Sequence, residues 1–359
     1  MPTILDSREE LQKNDPKFAI RSIEQLGSQV TQIWELASAL QFDATYAQVS
    51  NVVVAGMGGS AYGTHVITAL FKDQLTVPVI VVPDYTVPAY VNEKTLVLVS
   101  SYSGSSEETL AAAQDAHYKG AKIIGLTSGG KLGAWLSEHG YPSIQFDGSF
   151  NPCGVARFGY GYSLFGQMAI FAKVGLITLE QSDIDAILTV IADAQLRCSA
   201  DIPQEENEAK LLAFELVQRA PVFTVAQHLE GVAHVVANAI NENAKTYSEY
   251  RVIPELNHHL LEGFRFPQTN EQHYLFLTTS SKLYAKSNQH RMQLTQEVLE
   301  KHTIEWKELS VKGKTTLEEV FSYLVTGIYA SYYLASLLQV DPAATPEVEW
   351  FKKELAAKV

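Results

Sequence analysis

Cysteine is almost missing from this 359-residue chain, which carries only Cys153 and Cys198. Two thiols cannot build a disulfide framework or a structural zinc site, so a reducing, cytoplasmic compartment is expected. Basic residues are also in deficit: 27 Lys+Arg stand against 40 Asp+Glu, a formal net charge of −13. That balance argues against a nucleic-acid partner, because displacing counterions from phosphates takes a net basic face. An anionic small molecule is still compatible, since a few local donors are enough to hold it. The first eighteen residues lack the apolar core of a secretory leader, being interrupted by Asp6, Arg8, Glu9, Glu10, Lys13, Asp15 and Lys17. Long apolar runs are scarce too. The single bilayer-length stretch without charge, Phe321 to Val340, holds Ser322, Thr326, Gly327, Ser331, Ser336, Gln339 and four tyrosines. A buried helix is expected there, and no membrane association.

What is present is an ordinary globular balance, 46% hydrophobic and 19% charged, long enough for two domains. Ile20, Ile23, Leu26, Val30, Ile33, Leu36 and Leu40 recur at helical spacing. Short apolar runs follow at Val52–Ala55, Val77–Val82, Thr95–Val99, Lys122–Leu126 and, more weakly, Ser143–Phe146, with helical segments at Ala61–Phe71 and Glu107–Lys119 between them. Such alternation builds βαβ units and a parallel sheet covered on both faces. A helical stretch from about Leu176 to Val217 leads to a second alternation. Its strands are Pro221–Ala226, His273–Thr278 and Thr303–Leu309, and its helices Gly231–Lys245, Ser287–Lys301, Leu317–Leu338 and Pro346–Lys358. The expected fold is α/β: two parallel sheets, each flanked by helices in three layers. The expected organisation is a helical lead-in over 1–45, α/β domains over 46–178 and 218–340, a helical connection over 179–217 and a terminal helix over 341–359.

Two loops carry chemistry. Gly56-Met57-Gly58-Gly59-Ser60-Ala61-Tyr62-Gly63 follows the first strand and opens a helix, where glycines let backbone N–H groups approach an anion. Read alone, Gly56-x-Gly58-x-x-Ala61 also fits a dinucleotide turn, with Asp84 as the ribose acid. Ser100-Ser101-Tyr102-Ser103-Gly104-Ser105-Ser106-Glu107-Glu108-Thr109 follows the third strand. Hydroxyls and helix-start N–H groups converge there and can satisfy a phosphate monoester without lysine. A capping role for Ser106 accounts for one or two of these hydroxyls, not for the cluster.

Together with Asn241-Glu242-Asn243-Ala244-Lys245 and Pro254-Glu255-Leu256-Asn257-His258-His259, these motifs resemble the bifunctional phosphoglucose/phosphomannose isomerases of the sugar isomerase (SIS) domain family. Ser105-Ser106 stands where that family usually has Asn-Thr, which keeps a hydroxyl at Ser106. The resemblance implies a hexose 6-phosphate substrate, no cofactor and no metal. It places the phosphate cradle on Ser60, Ser101, Ser103 and Ser106, with Gly58 and Gly59 supplying close backbone. It places the catalytic base on Glu242, the ring-opening histidine on His258, the cation on Arg157, a ring-oxygen role on Lys352 and a specificity role on Thr345. It also implies a homodimer in which His258 serves the partner's site.

The chemistry is consistent with that set. Moving a proton between C2 and C1 through a cis-enediol needs one carboxylate base, ring opening needs a group active near neutral pH, and the enediolate needs a fixed cation. Glu255 is a second candidate base. His258 and His259 lack a second pair at ligand spacing, which speaks against a metal site. Three alternatives stay open at the level of sequence: a non-catalytic SIS-type phosphosugar-binding regulator, an isomerase of another sugar phosphate, and a nicotinamide oxidoreductase.

Overall fold

The computed structural model describes residues 4–358. Its first sheet takes β1 (Asn51–Ala55), β2 (Val79–Val82), β3 (Thr95–Ser101), β4 (Lys122–Thr127) and β5 (Ser143–Gln145) in the order β2-β1-β3-β4-β5, and every pairing is parallel. The second takes β6 (Ala220–Ala226), β7 (Glu249–Ile253), β8 (Tyr274–Thr278) and β9 (Trp306–Glu308) in the order β7-β6-β8-β9, again all parallel. The main helices are α1 (Leu26–Ala39), α2 (Tyr62–Leu70), α3 (Glu107–Tyr118), α4 (Gly130–Glu138), α5 (Gly166–Val174), α6 (Gln181–Cys198), α7 (Glu208–Glu215), α8 (Glu230–Ala244), α9 (Lys286–Lys301), α10 (Thr316–Leu337) and α11 (Pro346–Ala356).

The strands read as continuous apolar runs because both sheet faces are covered. Val53, Val97, Val99 and Ile123 pack under α3 and α4 on one face of the first sheet. Val52, Val54, Leu96, Leu98 and Ile124 belong to a larger cluster that also includes Phe223, Val225, Leu275 and Leu277 of the second sheet. Helices α2, α8 and α10 bridge the two sheets, with α8 packed against both of the others. The bilayer-length stretch lies within α10 as far as Leu337, and the helix's most apolar window is 94% buried inside the fold. Its Tyr333 hydroxyl donates to the carbonyl of Cys198 at 2.6 Å. Both cysteines are free and buried.

The structure differs from expectation at three places. The helix expected from Ile20 to Leu40 is broken at Gln25, which ends Ala19–Glu24 and precedes α1. The helical stretch to Val217 is interrupted after Cys198, where Ser199 turns extended, Pro203 follows, and Asn207 caps α7 by accepting from the Ala209 and Lys210 N–H groups. Strand β7 went unforeseen. It is an edge strand with half-exposed Glu249, Tyr250 and Arg251, so it has no continuous apolar run to announce it.

Candidate active site

The glycine turn after β1 and the serine loop after β3 meet because β1 and β3 are neighbours whose carboxyl ends point the same way. Gly58 adopts φ +48°, a left-handed value that favours glycine, and a Cβ there would meet no atom within 4 Å. The Tyr102 N–H donates to Ser60 Oγ at 3.1 Å, and the Ser101 hydroxyl donates to Ser106 Oγ at 3.2 Å. The Ser105 N–H donates to Ser103 Oγ at 3.3 Å. Four hydroxyls, from Ser60, Ser101, Ser103 and Ser106, therefore lie along one continuous pair of loops. Ser106 occupies the N-cap position of α3, yet its side chain makes no capping hydrogen bond. Its oxygen is not committed to the helix.

Arg157 lies across this cradle in a short helical turn, with its side chain only 9% exposed. A Cβ on Gly59 would stand 4.0 Å from Arg157 Cα. Asn151 fixes the same segment to the serine loop, donating to Tyr102 Oη at 2.7 Å and to the Val155 carbonyl at 3.0 Å. The guanidinium is held by three groups distant in sequence: Nε donates to Asn243 Oδ1 at 2.7 Å, and Nη2 donates to the carbonyls of Pro342 and Ala344. Nη1 has no hydrogen-bond partner among the described residues. Asn243 is in turn secured to α10, donating to Ser331 Oγ at 2.9 Å.

Glu242, near the carboxyl end of α8, presents Oε2 3.8 Å from Arg157 Nε and keeps 37% of its side chain exposed. The Tyr62 hydroxyl donates to Glu242 Oε1 at 3.5 Å. Burial and the nearby carboxylate hold the Tyr62 phenol well above its usual range, so it stays a donor. Lys245, one residue past α8, donates to the carbonyls of Asn243 and Asp341. Burial and the Arg157 guanidinium pull its amine down to about 8.

The structure thus brings together Gly58, Gly59, Ser60, Ser101, Ser103, Ser106, Arg157 and Glu242. Thr345 directly follows the carbonyls that Arg157 grips. It stands at the N-cap of α11 with Pro346 at the start of the helix, and its hydroxyl makes no capping bond. Two expected residues are not part of the group within one chain. Lys352 is exposed on α11, a helix with no buried residue. His258 is exposed past the carboxyl end of β7, whereas Glu242 is next to Asn241, which bonds Ser248 at the strand's amino end. At about 3.3 Å per residue the strand alone puts roughly 15 Å between those ends. The alternative base Glu255 lies on the His258 side, exposed, 3.6 Å from His259. Asp84, the ribose acid of the dinucleotide alternative, accepts from its neighbour Tyr85 N–H at 2.6 Å.

Four positions had not been singled out: Tyr62, Gln167, Asn243 and Lys245. Gln167 is fully buried and donates to the Ser60 carbonyl and to Ser100 Oγ, which sets the two loops against each other. Tyr62, Asn243 and Lys245 sit inside stretches already marked as motifs, while Gln167 has no local signal.

Comparison with known proteins places these features in a family. Residues 45–131 match the SIS domain, and residues 205–355 match the bacterial phospho-glucose isomerase C-terminal SIS domain. A bifunctional phosphoglucose/phosphomannose isomerase of Caldicellulosiruptor bescii is 34% identical over 340 residues, covering 93% of this chain and 98% of that one. The enzyme of the same name from Thermoplasma acidophilum is 28% identical over 323 residues, 89% of this chain and 95% of its own. Among solved structures, a hypothetical protein of Thermus thermophilus shares the fold with a TM-score of 0.73 at 18% identity, over 98% of this chain and 93% of that one. With two SIS-type sheets and 34% identity across nearly the full length of both chains, this protein belongs to the bifunctional phosphoglucose/phosphomannose isomerase family.

Proposed function

We propose that the chain is an aldose–ketose isomerase that interconverts glucose 6-phosphate and mannose 6-phosphate with fructose 6-phosphate through a cis-enediol. The observation that carries this reading is the pairing of a part-exposed carboxylate, Glu242, with a buried cation, Arg157, beside a loop of clustered hydroxyls. The Ser60, Ser101, Ser103 and Ser106 hydroxyls and the start of α3 take the phosphate dianion, with Gly58 and Gly59 letting the backbone approach. Glu242 removes the proton from C2 of the aldose and returns it to C1. Negative charge builds on the enediolate oxygens beside Arg157, whose Nη1 remains to meet them. Thr345, small and hydroxylated, leaves room for the enediol to turn about C2–C3, so that one base serves both C2 epimers.

The same reading assigns ring opening to His258 from a second copy of the chain and a ring-oxygen role to Lys352. Two features support a homodimer: His258 and Glu242 lie at opposite ends of β7 in one chain, and α11 exposes Val348, Phe351 and Leu355 along one side. We take the functional units to be 46–178 and 218–340, with 341–359 completing the site, and the location to be cytoplasmic.

Purified protein is expected to convert both aldose phosphates in a coupled assay, with equal rates with and without chelator. Tight fructose 6-phosphate binding without turnover would instead make it a phosphosugar-binding regulator. Mixing Glu242→Gln and His258→Ala proteins is expected to restore activity through hybrid dimers; no rescue after demonstrated subunit exchange removes the trans assignment.

A further inference from the structure

Residues 341–345, in the connection between α10 and α11, form a strap beside Arg157, and two cations hold it by its backbone. Arg157 Nη2 donates to the carbonyls of Pro342 and Ala344, and Lys245 Nζ donates to the carbonyl of Asp341. These contacts tie the strap to the turn that carries Arg157 and to the end of α8 that carries Glu242. We propose that Lys245 is a positioning residue for the isomerase reaction, clamping the strap so that Thr345 and α11 stand in a fixed place relative to Glu242. The inference rests on the isomerase reading for its catalytic consequence, while the clamp itself is a structural claim that can be read without turnover.

Three independent observations support it. Lys245 adopts φ +53° as the C-cap of α8, a left-handed position where a glycine would be unstrained. A long side chain occupies that position, and its amine donates to two backbone carbonyls. One of those carbonyls, Asn243, belongs to the last turn of α8, where carbonyls lack helical partners. The same amine therefore closes the helix and reaches the strap. Second, no carboxylate lies within ion-pair distance of Lys245 among the described residues, so its directed bonds are to neutral acceptors. The charged groups around it are Arg157, Glu242 and Asp341, and burial together with Arg157 brings its amine to about 8. Third, α11 buries no residue in this chain, so the strap is what fixes the helix to the rest of the protein.

Arg157 is shared between strap and chemistry. Its Nη2 holds Pro342 and Ala344 while Nη1 faces the chemistry, and Lys245 is the second donor on the strap, at Asp341. A substitution at Lys245 is therefore expected to act on turnover and on the choice between C2 epimers, not on phosphate affinity.

The test uses the full-length protein with Lys245→Gly, which removes the amine and suits the left-handed backbone, so the fold is retained. Lys245→Arg restores a long donor. Amide hydrogen exchange over 341–358 is expected to quicken about tenfold or more in Lys245→Gly, with the thermal midpoint and the exchange of α8 and α10 unchanged. In the coupled assay kcat is expected to fall about tenfold or more, KM to move less than threefold, and the ratio of mannose 6-phosphate to glucose 6-phosphate turnover to change. Lys245→Arg is expected to recover most of each effect. Unchanged exchange over 341–358 overturns the clamp. Faster exchange with kcat and the epimer ratio unchanged overturns the positioning role. If the unsubstituted protein turns over neither aldose phosphate, it is the isomerase reading that fails, and the exchange experiment still decides the clamp.

Discussion

Arg157 Nε donates to Asn243 Oδ1 at 2.7 Å across a sequence separation of 86 residues, and this bond joins the two halves of the site. It fixes the guanidinium beside the neighbouring Glu242 and orients Asn243, whose amide is tied to Ser331 of α10. A cation on the first half and a carboxylate on the second thus share one rigid support.

Glu242→Gln keeps the size and the Tyr62 contact but removes the base. Turnover of glucose 6-phosphate is expected to fall by roughly 10²–10⁴ with the fold intact, the usual share of a positioned general base. Circular dichroism and the coupled assay check the two halves of that statement. Activity within tenfold of the parent protein moves the base elsewhere.

Arg157→Lys retains charge but cannot satisfy Asn243, Pro342 and Ala344 from one planar fork. Loss of about 10²-fold or more in kcat is expected, together with faster proteolysis near residues 341–345. A variant that keeps full turnover would show that charge alone suffices there.

Single Ser101→Ala, Ser103→Ala and Ser106→Ala changes each remove one hydrogen bond to a charged ligand, worth roughly 1.5–3 kcal/mol. KM for hexose 6-phosphates is expected to rise at least about tenfold, with kcat less affected. Ser106→Ala should leave the thermal midpoint unchanged, because its hydroxyl does not cap α3. A clear drop in that midpoint would mean the hydroxyl stabilises the helix after all.

Gly231→Ala tests the contact between α2 and α8. A Cβ at Gly231 would stand 2.2 Å from the His65 carbonyl oxygen and 2.5 Å from Val66 Cα, backbone atoms that cannot swing aside. Overpacking of this kind costs roughly 1–3 kcal/mol or more. Urea unfolding should show it, with an accompanying loss of activity because α8 carries Glu242. Parent-like stability would mean the two helices separate at little cost.

Stability is expected to fall in acid through His234. Burial and the adjacent His65 hold its imidazole down to about 4, and Nδ1 has no hydrogen-bond partner among the described residues. The unfolded chain takes up the proton first, so between pH 6.5 and about 4 it binds more protons than the native state. Stability is therefore full above pH 6.5 and lost as pH drops through that window. His234→Phe removes this share of the loss, about 1–2 kcal/mol once partial exposure is allowed for. Urea midpoints at pH 7 and 4.5 measure it: a variant with an unchanged difference between them assigns the acid loss to other groups.

Much of the fold was legible locally. The apolar runs that became β1, β3, β4, β6 and β8 are buried on both sides, and each announces itself within five to seven residues. β7 did not, because an edge strand exposes half its side chains. The serine loop and glycine turn were visible because the chemistry of each is concentrated within ten residues or fewer. Gln167 was invisible, since a lone glutamine inside a helix carries no pattern until two loops close on it.

The sequence by itself determined which segments become strands, β7 excepted, that both sheets are parallel, and where hydroxyls and glycines collect at strand ends. Those are short-range properties of side-chain period and backbone freedom. Only the tertiary structure decided what those segments meet. The packing of α2 on α8 and of α8 on α10 brings Arg157 to Asn243 and Glu242, and the return of the chain after α10 lays residues 341–345 under Arg157 and Lys245. It also sets His258 at the far end of β7 from Glu242. Contacts between residues 86 and 185 positions apart depend on how helices cross over a shared core, which no local pattern encodes.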